Sequence, residues 1–542
     1  MMRIPTAALL VAAFAAQAPA IAQHEQHAAP ATSEKLGTVQ FETSCNRSVR
    51  SDFNRAVALL HSFEFGRSLA AFEAVLANDA DCAMAHWGVA LSHWGNPFGG
   101  VRSAAALERG FAAIDRARSS LSPTARERGY IEAAAELFED HAAVSQRDRI
   151  LAYERAMRRV ARENPHDDEA AIFHALAVNQ TALPTDKTYA RQLEAARILE
   201  PLVGKYPDHP GLTHYIIHAY DHPPLASRAL DAARRYAEIA PSAAHALHMP
   251  SHTFTRMGLW KESAETNRRS EQAAIEQGSV TEALHAMDYQ AYAYLQMAED
   301  QEARKLLTRL KSVAAGFDPD AIGGAAPAMA GYFAMVAIPA RFALERGDWL
   351  EAARLAVPRQ GPPVTIAMAH FARAIGAARM GDPSAAEPEL DRLSDLHDRL
   401  NSADDAYWAE QLDIQRRVAA AWTAFAEGRR IEALRTLRAA AEAEDATDKS
   451  AMTPGPLVPA RESLAEMLLE AGNARAALAE FEASLAKEPG RFRGLFGAGL
   501  AAETAGDHAT ARRYFRIMLE NARGADSARA GLRHARSYLL QD

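Results

Sequence analysis

The chain has 542 residues, of which 49% are apolar and only 7% are aromatic. This composition, rich in Ala and Leu, suits closely packed helices better than sheets. The formal net charge is −9, the pI is about 6.1 and basic residues form no long run, so nucleic acid and anionic membranes are poor candidates as partners.

The N-terminal segment, residues 1–22, has the features of a cleavable signal peptide. Arg3 precedes a short apolar run from Ala7 to Ala16, and Ala20-Ile21-Ala22 gives the small-x-small pattern that signal peptidase recognises. This run is shorter than the about 20 apolar residues that span a bilayer, and no other segment approaches that length without charges. We therefore expect cleavage after Ala22, a periplasmic or secreted mature protein, and no membrane span.

The rest of the chain reads as one long helical array. Residues 23–47 are polar and predict a flexible lead-in. Beyond them an apolar period of about 3.6 residues rarely stops, and strand signals are lacking. We predict an N-terminal array at 48–315, a Gly- and Pro-rich hinge or loop at 316–328, and a C-terminal array at 329–542 that ends in a capping helix.

The two cysteines of the chain bracket the first predicted helix pair. A helix hairpin brings its ends together and the expected compartment is oxidising, so Cys45 and Cys82 are candidates for a disulfide. The alternative is that they are two unpaired small residues of the core.

The repeat is clearest near the C-terminus. Gly472 ends one predicted helix, and Ala477, Phe481, Ser484 and Pro489 then fall at small, aromatic, small and proline positions. This pattern resembles the tetratricopeptide repeat (TPR), a helix pair of about 34 residues. The resemblance implies an all-α, right-handed superhelical solenoid, here with about ten helix pairs and several insertions.

Histidine is concentrated in one region. Seven of the 20 histidines lie between His209 and His252. His214 and His218 stand at i and i+4 of one predicted helix, and His248 and His252 repeat that spacing 34 residues later, which is one repeat length. The two pairs are therefore expected at equivalent places on neighbouring parallel helices.

Such an arrangement predicts a transition-metal site. An i, i+4 histidine pair is a familiar half-site, and helices packed about 8–10 Å apart let facing imidazoles share one ion. With a carboxylate as a further ligand, Zn²⁺ or Cu²⁺ would suit the set. The candidate metal ligands are His214, His218, His248, His252, Asp221 and Asp288.

The resemblance also implies a ligand groove, because the first helix of each TPR pair lines the concave surface. Residues expected on that groove are His222, His245, His285, Tyr292 and Arg341. Histidines there can also donate hydrogen bonds to a carboxylate or phosphate ligand, or satisfy one another in a buried network.

Two segments, HYIIHAYDHPPLASRAL and HALHMPSHTFTRMGLWKES, resemble those of uncharacterised secreted bacterial TPR proteins. Membership of that superfamily implies binding of a protein, a peptide or a small ligand, and it does not imply an enzyme. A metal-dependent enzyme, such as a hydrolase that uses Asp221 or Asp288 as its base, is the alternative. Phosphate-binding glycine loops, nucleophile elbows and H-E-x-x-H motifs are not found.

Overall fold

The computed structural model describes Met1 and residues 34–121, 123–403 and 405–540. The predicted signal peptide and its cleavage point therefore lie outside the described residues, except for Met1. Lys35–Asp542 forms one compact unit. Its described part is built of helices without strands, and none of these helices is long and apolar enough to cross a membrane.

The helices follow one another along the chain and are mostly joined by short loops. Those of the first part are α1 (Arg50–His61), α2 (Phe65–Asn78), α3 (Ala83–Trp94), α4 (Ala104–Ser119), α5 (Ala125–Ala135), α6 (Gln146–Glu163), α7 (Asp168–Gln180), α8 (Ala190–Val203), α9 (Pro210–Tyr220), α10 (Leu230–Ile239), α11 (Ala244–His248), α12 (Pro250–Arg256), α13 (Trp260–Glu276), α14 (Val280–Gln296) and α15 (Asp300–Ala314). Two short 3₁₀ helices lie at Arg47–Val49 and Ala226–Ala229.

The second part begins after the predicted hinge. Its helices are α16 (Ala328–Leu344), α17 (Trp349–Ala353), α18 (Pro363–Arg379), α19 (Pro383–Ser402), α20 (Ala406–Ala426), α21 (Arg430–Ala446), α22 (Ala460–Glu470), α23 (Ala474–Lys487), α24 (Phe492–Thr504), α25 (His508–Asn521) and α26 (Ala530–Leu539).

The repeat residues lie where successive helices touch. A Cβ at Gly497 would come within 2.2 Å of the Phe481 ring, and one at Gly499 within 2.4 Å of the Phe515 ring, so only glycine allows these helices to pack so closely. Gly472 follows α22 with a φ of +86°, the left-handed conformation that ends a helix. Each helix packs mainly on its sequence neighbours. The predicted all-α fold of TPR-type helix pairs is confirmed.

The lead-in packs against the helices from Leu36 onward. Leu36, Val39 and Phe41 are buried in an extended segment, whereas the polar composition predicted flexibility as far as residue 47. Cys45 and Cys82 form a disulfide, which ties the end of this segment to the start of α3. Three apolar side chains within a polar stretch were enough to anchor the segment.

The predicted hinge region joins α15 to α16 and contacts the first part of the chain. The backbone N–H of Gly66 donates to the carbonyl of Gly323 (2.7 Å), and the N–H of Ala326 donates to Glu282 Oε2 (2.9 Å). Hinge motion at 316–328 stays a prediction, and these bonds show what such motion would have to break.

A second connection fills the space that the sequence predicted to be an open groove. Residues 447–459, which we call the plug segment, link α21 to α22 and contact the middle of α14 and the residues that follow α9. The Tyr289 hydroxyl donates to the carbonyl of Thr453 (3.2 Å), and His222 Nδ1 donates to Asp448 Oδ2 (2.9 Å). The inner face of the helices around the histidines is therefore covered.

Candidate metal centre

Six histidines from neighbouring helices meet in the interior of the protein, and all six are buried. They are His214 and His218 on α9, His245 and His248 on α11, His252 on α12, and His285 on α14. Sequence analysis placed all of them at the site, four as metal ligands and two on the ligand groove.

The pairing of His248 with His252 depends on a proline that does not disrupt the helix. Pro250 lacks the N–H needed to continue the ladder of hydrogen bonds, so α11 ends at His248 and α12 starts at Pro250. Between them Met249 keeps a helical φ of −54° and ψ of −35°. The i, i+4 register is preserved across the break, and both imidazoles leave the same face.

The first set of three consists of His214, His218 and His245, whose ligand atoms lie within 4.8 Å of one another. Nε2 of His214 is 3.0 Å from Nε2 of His218. His214 Nδ1 donates to the carbonyl of His61 (2.6 Å), and His245 Nδ1 donates to Glu282 Oε1 (2.9 Å). The buried Nε2 of His245 has no hydrogen-bond partner among the described residues.

The second set consists of His248, His252 and His285, again within 4.8 Å. Nε2 of His248 faces Nε2 of His252 at 3.1 Å. His248 Nδ1 donates to Asn267 Oδ1 (2.6 Å), and His252 Nδ1 donates to Asp221 Oδ2 (2.8 Å). In each set two of the three imidazoles donate their Nδ1–H to a fixed acceptor, and the Nε2 atoms of these four imidazoles are left without a hydrogen.

The hydrogen bonds around the second set determine its tautomers. Asn267 Nδ2 donates to the carbonyl of Ser263 (2.7 Å), which leaves Oδ1 as the atom that faces His248. The carboxylate of Asp221 can only accept. Both Nδ1 atoms therefore carry the hydrogen, and a neutral imidazole has only one. The two Nε2 atoms of His248 and His252 thus face each other with lone pairs.

The two sets form one continuous cluster. The ring centroids of His245 and His248 are 5.8 Å apart, and those of His218 and His252 are 6.0 Å apart. The six imidazoles therefore make two neighbouring centres, in agreement with the spacing of one repeat.

Burial lowers the pKa of five of these imidazoles, those of His214, His218, His248, His252 and His285. Burial first, and the neighbouring imidazoles second, hold the pKa values of His214, His218 and His248 well below the ordinary 6.5. Burial lowers the pKa of His285 to about 3. Neutral imidazole is the form that binds a metal ion.

Asp221, predicted as a ligand, lies behind His252. Its Oδ1 accepts from Arg256 Nε (2.9 Å) and its backbone carbonyl from the same guanidinium (3.0 Å). Burial alone would raise the pKa of Asp221, but the charges of Lys449 and Arg256 and the hydrogen bond from His252 outweigh burial and hold the pKa well below its ordinary value. The ionised carboxylate orients the imidazole of His252.

Three other predicted site residues lie away from both histidine sets. Asp288 Oδ1 accepts from Arg341 Nε (3.0 Å), and Arg341 also donates to Thr453 Oγ1 in the plug segment (2.9 Å). The Tyr292 hydroxyl accepts from Arg491 (2.6 Å). Asp288, Arg341 and Tyr292 therefore belong to the buried contact between the two parts of the chain.

Access to the cluster is through a cavity of about 320 Å³ that reaches His218, Asp221 and His222. Lys449 of the plug segment also lines this cavity. Burial, and then the charge of Arg256, lower the pKa of Lys449 to about 8. Sequence analysis missed Lys449, because the plug segment is more than 150 residues from the histidines and carries no motif.

A third group of buried histidines has a different arrangement. Glu169 accepts from His61 Nε2 and from His209 Nε2, each at 3.0 Å. The Tyr215 hydroxyl donates to His61 Nδ1 (2.9 Å), and His209 Nδ1 accepts from the backbone N–H of Leu212 (3.3 Å). All four ring nitrogens have a protein partner, so this group, the Glu169 network, is a closed set of hydrogen bonds.

Comparison with known proteins adds little about function. No family model and no curated protein matches the chain. Among solved structures, a TPR protein from Parabacteroides merdae is 12% identical with a TM-score of 0.29, covering 56% of this chain and 100% of its own. The human IFIT1 dimer solved with m7Gppp-AAAA is 11% identical with a TM-score of 0.37, covering 82% and 90%. Likenesses this distant carry no conclusion about a ligand.

Proposed function

We propose that this chain is an exported helical-repeat protein that binds transition-metal ions at two adjacent three-histidine centres. Nitrogen ligands favour Zn²⁺ or Cu²⁺ over the hard cations that prefer oxygen. The proposed ligands are His214, His218 and His245 at the first centre, and His248, His252 and His285 at the second.

The observation that carries this proposal is the facing of His248 Nε2 and His252 Nε2 at 3.1 Å. Both atoms present lone pairs, because their Nδ1–H groups are committed to Asn267 and Asp221. Two lone pairs at this distance repel unless a cation binds both. Nitrogens that share one zinc ion at about 2.1 Å each lie roughly 3.0–3.4 Å apart, which fits the observed spacing.

The outer hydrogen bonds support the same proposal. Four of the six imidazoles donate Nδ1–H to a carbonyl, amide or carboxylate oxygen, as metal-binding histidines ordinarily do. These acceptors belong to His61, Glu282, Asn267 and Asp221. A purely structural network would instead place an acceptor between the imidazoles, as Glu169 is placed.

Export is part of the proposal. The N-terminal signal pattern with its expected cut after Ala22 is its main support. The disulfide between Cys45 and Cys82 adds to it, since disulfides persist in oxidising compartments such as the periplasm.

A metal-dependent enzyme is the second candidate, and the cavity at His218 favours it. Three protein ligands leave a coordination position open, and catalytic zinc sites have this property. A cavity of about 320 Å³ is at the small end of ligand pockets, so it suits a small molecule better than a folded partner. Of the protein, peptide and small ligands that the sequence analysis left open, a small ligand is therefore favoured.

The test is the metal content of the mature protein, from Gln23 onward, purified from the periplasm without a histidine tag. We expect about one to two equivalents of zinc or copper. A His214→Ala/His248→Ala double variant with unchanged circular dichroism should lose them. A folded wild-type protein that takes up neither metal, even after reconstitution, would overturn the proposal and return the cluster to a hydrogen-bonded network.

A further inference from the structure

A buried lysine beside the second centre makes no hydrogen bond to any described residue. The side chain of Lys449 is only 9% exposed, and its Nζ has no hydrogen-bond partner in the described part of the chain. The nearest carboxylate oxygen is Asp221 Oδ2 at 3.9 Å, beyond hydrogen-bond distance. That carboxylate already accepts from His252 and Arg256.

The other carboxylate nearby is also committed. Asp448 Oδ1 accepts from Lys187 Nζ (2.7 Å), and its Oδ2 accepts from His222 Nδ1 (2.9 Å). A buried ammonium without an acceptor is costly, so such groups are retained where something completes them. Since the carboxylates of Asp221 and Asp448 are already paired, a bound molecule could supply the acceptor that Lys449 lacks.

The cavity beside Lys449 has the lining that such a molecule needs. Lys449 and His218 of the first centre both line it, together with the carboxylates of Asp221 and Asp448, which are already paired with cationic or N–H donors. Gln180 also lines it, and its buried Nε2 is a second donor with no partner among the residues described. Phe98 and Leu183 add apolar surface. Two residues that carry unsatisfied donors thus line the same cavity as a proposed metal ligand.

We propose that this cavity binds a small oxyanion, a carboxylate or a phosphate, between Lys449 and the metal ion of the first centre. Lys449 neutralises its charge and Gln180 donates a further hydrogen bond. For its contact with the metal, this inference rests on the proposed function. The contact with Lys449 depends on the protein alone.

The test is calorimetric titration of the metal-loaded mature chain with inorganic phosphate and, separately, with acetate, which distinguishes the two sources of an oxyanion. One of the two should bind, and Lys449→Gln should weaken that binding at least about tenfold, because a charge-assisted hydrogen bond is lost. Gln180→Leu should weaken it several-fold. Lys305→Gln, which changes an exposed lysine paired with Glu302, should leave the affinity unchanged.

Metal content measured on the same samples separates this inference from the proposed function. Equal affinity in wild type and in folded Lys449→Gln, or binding of neither anion by metal-loaded wild type, would overturn the oxyanion site and leave the metal centres standing. Anion binding that needs Lys449, in a wild-type protein that takes up neither metal even after reconstitution, would do the reverse. If Lys449→Gln fails to fold, the Gln180→Leu result alone decides.

Discussion

The three-histidine centres and the Glu169 network are neighbouring clusters of buried histidine with opposite hydrogen-bond directions. In the network the carboxylate lies between His61 and His209 and accepts from both. At the second centre the acceptors, Asn267 and Asp221, lie outside the imidazoles and turn the free nitrogens toward each other. Closeness of histidines is common to both clusters. The direction of each N–H group separates a candidate metal site from a structural one.

The Glu169 network and the three-histidine centres also differ in the effect that their surroundings have on ionisation. Burial would raise the pKa of Glu169, but the hydrogen bonds that it accepts from His209 and His61 outweigh burial and hold that pKa well below the ordinary value. The Glu169 network therefore carries an ionised group that its own partners stabilise. At the three-histidine centres burial instead opposes protonation, and it lowers the pKa values of His214 and His248 well below the ordinary 6.5.

The largest expected difference is in acid stability. The imidazoles whose pKa is lowered in the folded protein are His214, His218, His248, His252 and His285. Below pH 6.5 the unfolded chain binds more protons at these groups than the folded chain. The free energy of unfolding of the metal-free protein should then fall by up to about 1.4 kcal/mol per pH unit for each group.

Urea unfolding of the metal-free protein at pH 7.5, 6.5 and 5.5 tests this, and a loss of several kcal/mol is expected below pH 6.5. Glu169 acts in a separate pH range, because its pKa is lowered in the folded protein. Its contribution to the free energy of unfolding is complete above about pH 4.5 and is lost as the pH falls toward the pKa of the folded state. A stability that stays constant down to pH 5.5 would mean that the imidazoles are not held neutral.

Single His→Gln substitutions should lower the metal affinity when they are made in the second centre, but not when they are made in the Glu169 network. His248→Gln and His252→Gln each remove a proposed ligand, so we expect the affinity of the second centre to fall by more than about a hundredfold. His209→Gln changes a buried histidine of the Glu169 network and should keep the wild-type affinity. Competition titration against a chromophoric chelator measures both. An equal loss in all three variants would indicate a general effect on folding.

Substitution of Glu169, in contrast, should lower the stability of the protein and leave its metal binding unchanged. Glu169→Ala leaves two buried imidazoles without their acceptor, which should lower the free energy of unfolding by about 2 kcal/mol. The number of metal ions bound should not change. Glu163→Ala, on an exposed position of α6, is the matched control and should be neutral. Loss of metal in the Glu169 variant would place this carboxylate in the metal site and remove the distinction drawn between the clusters.

The sequence could predict the inward-facing side of the site because helix periodicity determines it. The i, i+4 spacing and the offset of one repeat placed His214, His218, His248 and His252 together, and the groove positions added His285. Helix periodicity could not predict the acceptors of the Nδ1–H groups or the plug segment that covers the histidines. Asn267 lies on the second helix of its pair, and the plug segment meets α9 through contacts such as His222–Asp448, 226 residues apart. Repeat periodicity carries no information about contacts between distant repeats.

The smallest expected effect tests the outer hydrogen bonds themselves. Asn267→Ala keeps every proposed ligand but removes the acceptor that fixes the tautomer of His248. Loss of such a partner costs about tenfold in metal affinity, so the second centre should weaken by that factor while the first is unchanged. Ser270→Ala is the matched control on the same helix, because Ser270 Oγ donates only to the carbonyl of Ala244. If both variants bind metal as wild type does, the direction of the His248 N–H does not determine binding, and closeness of the imidazoles alone accounts for the centre.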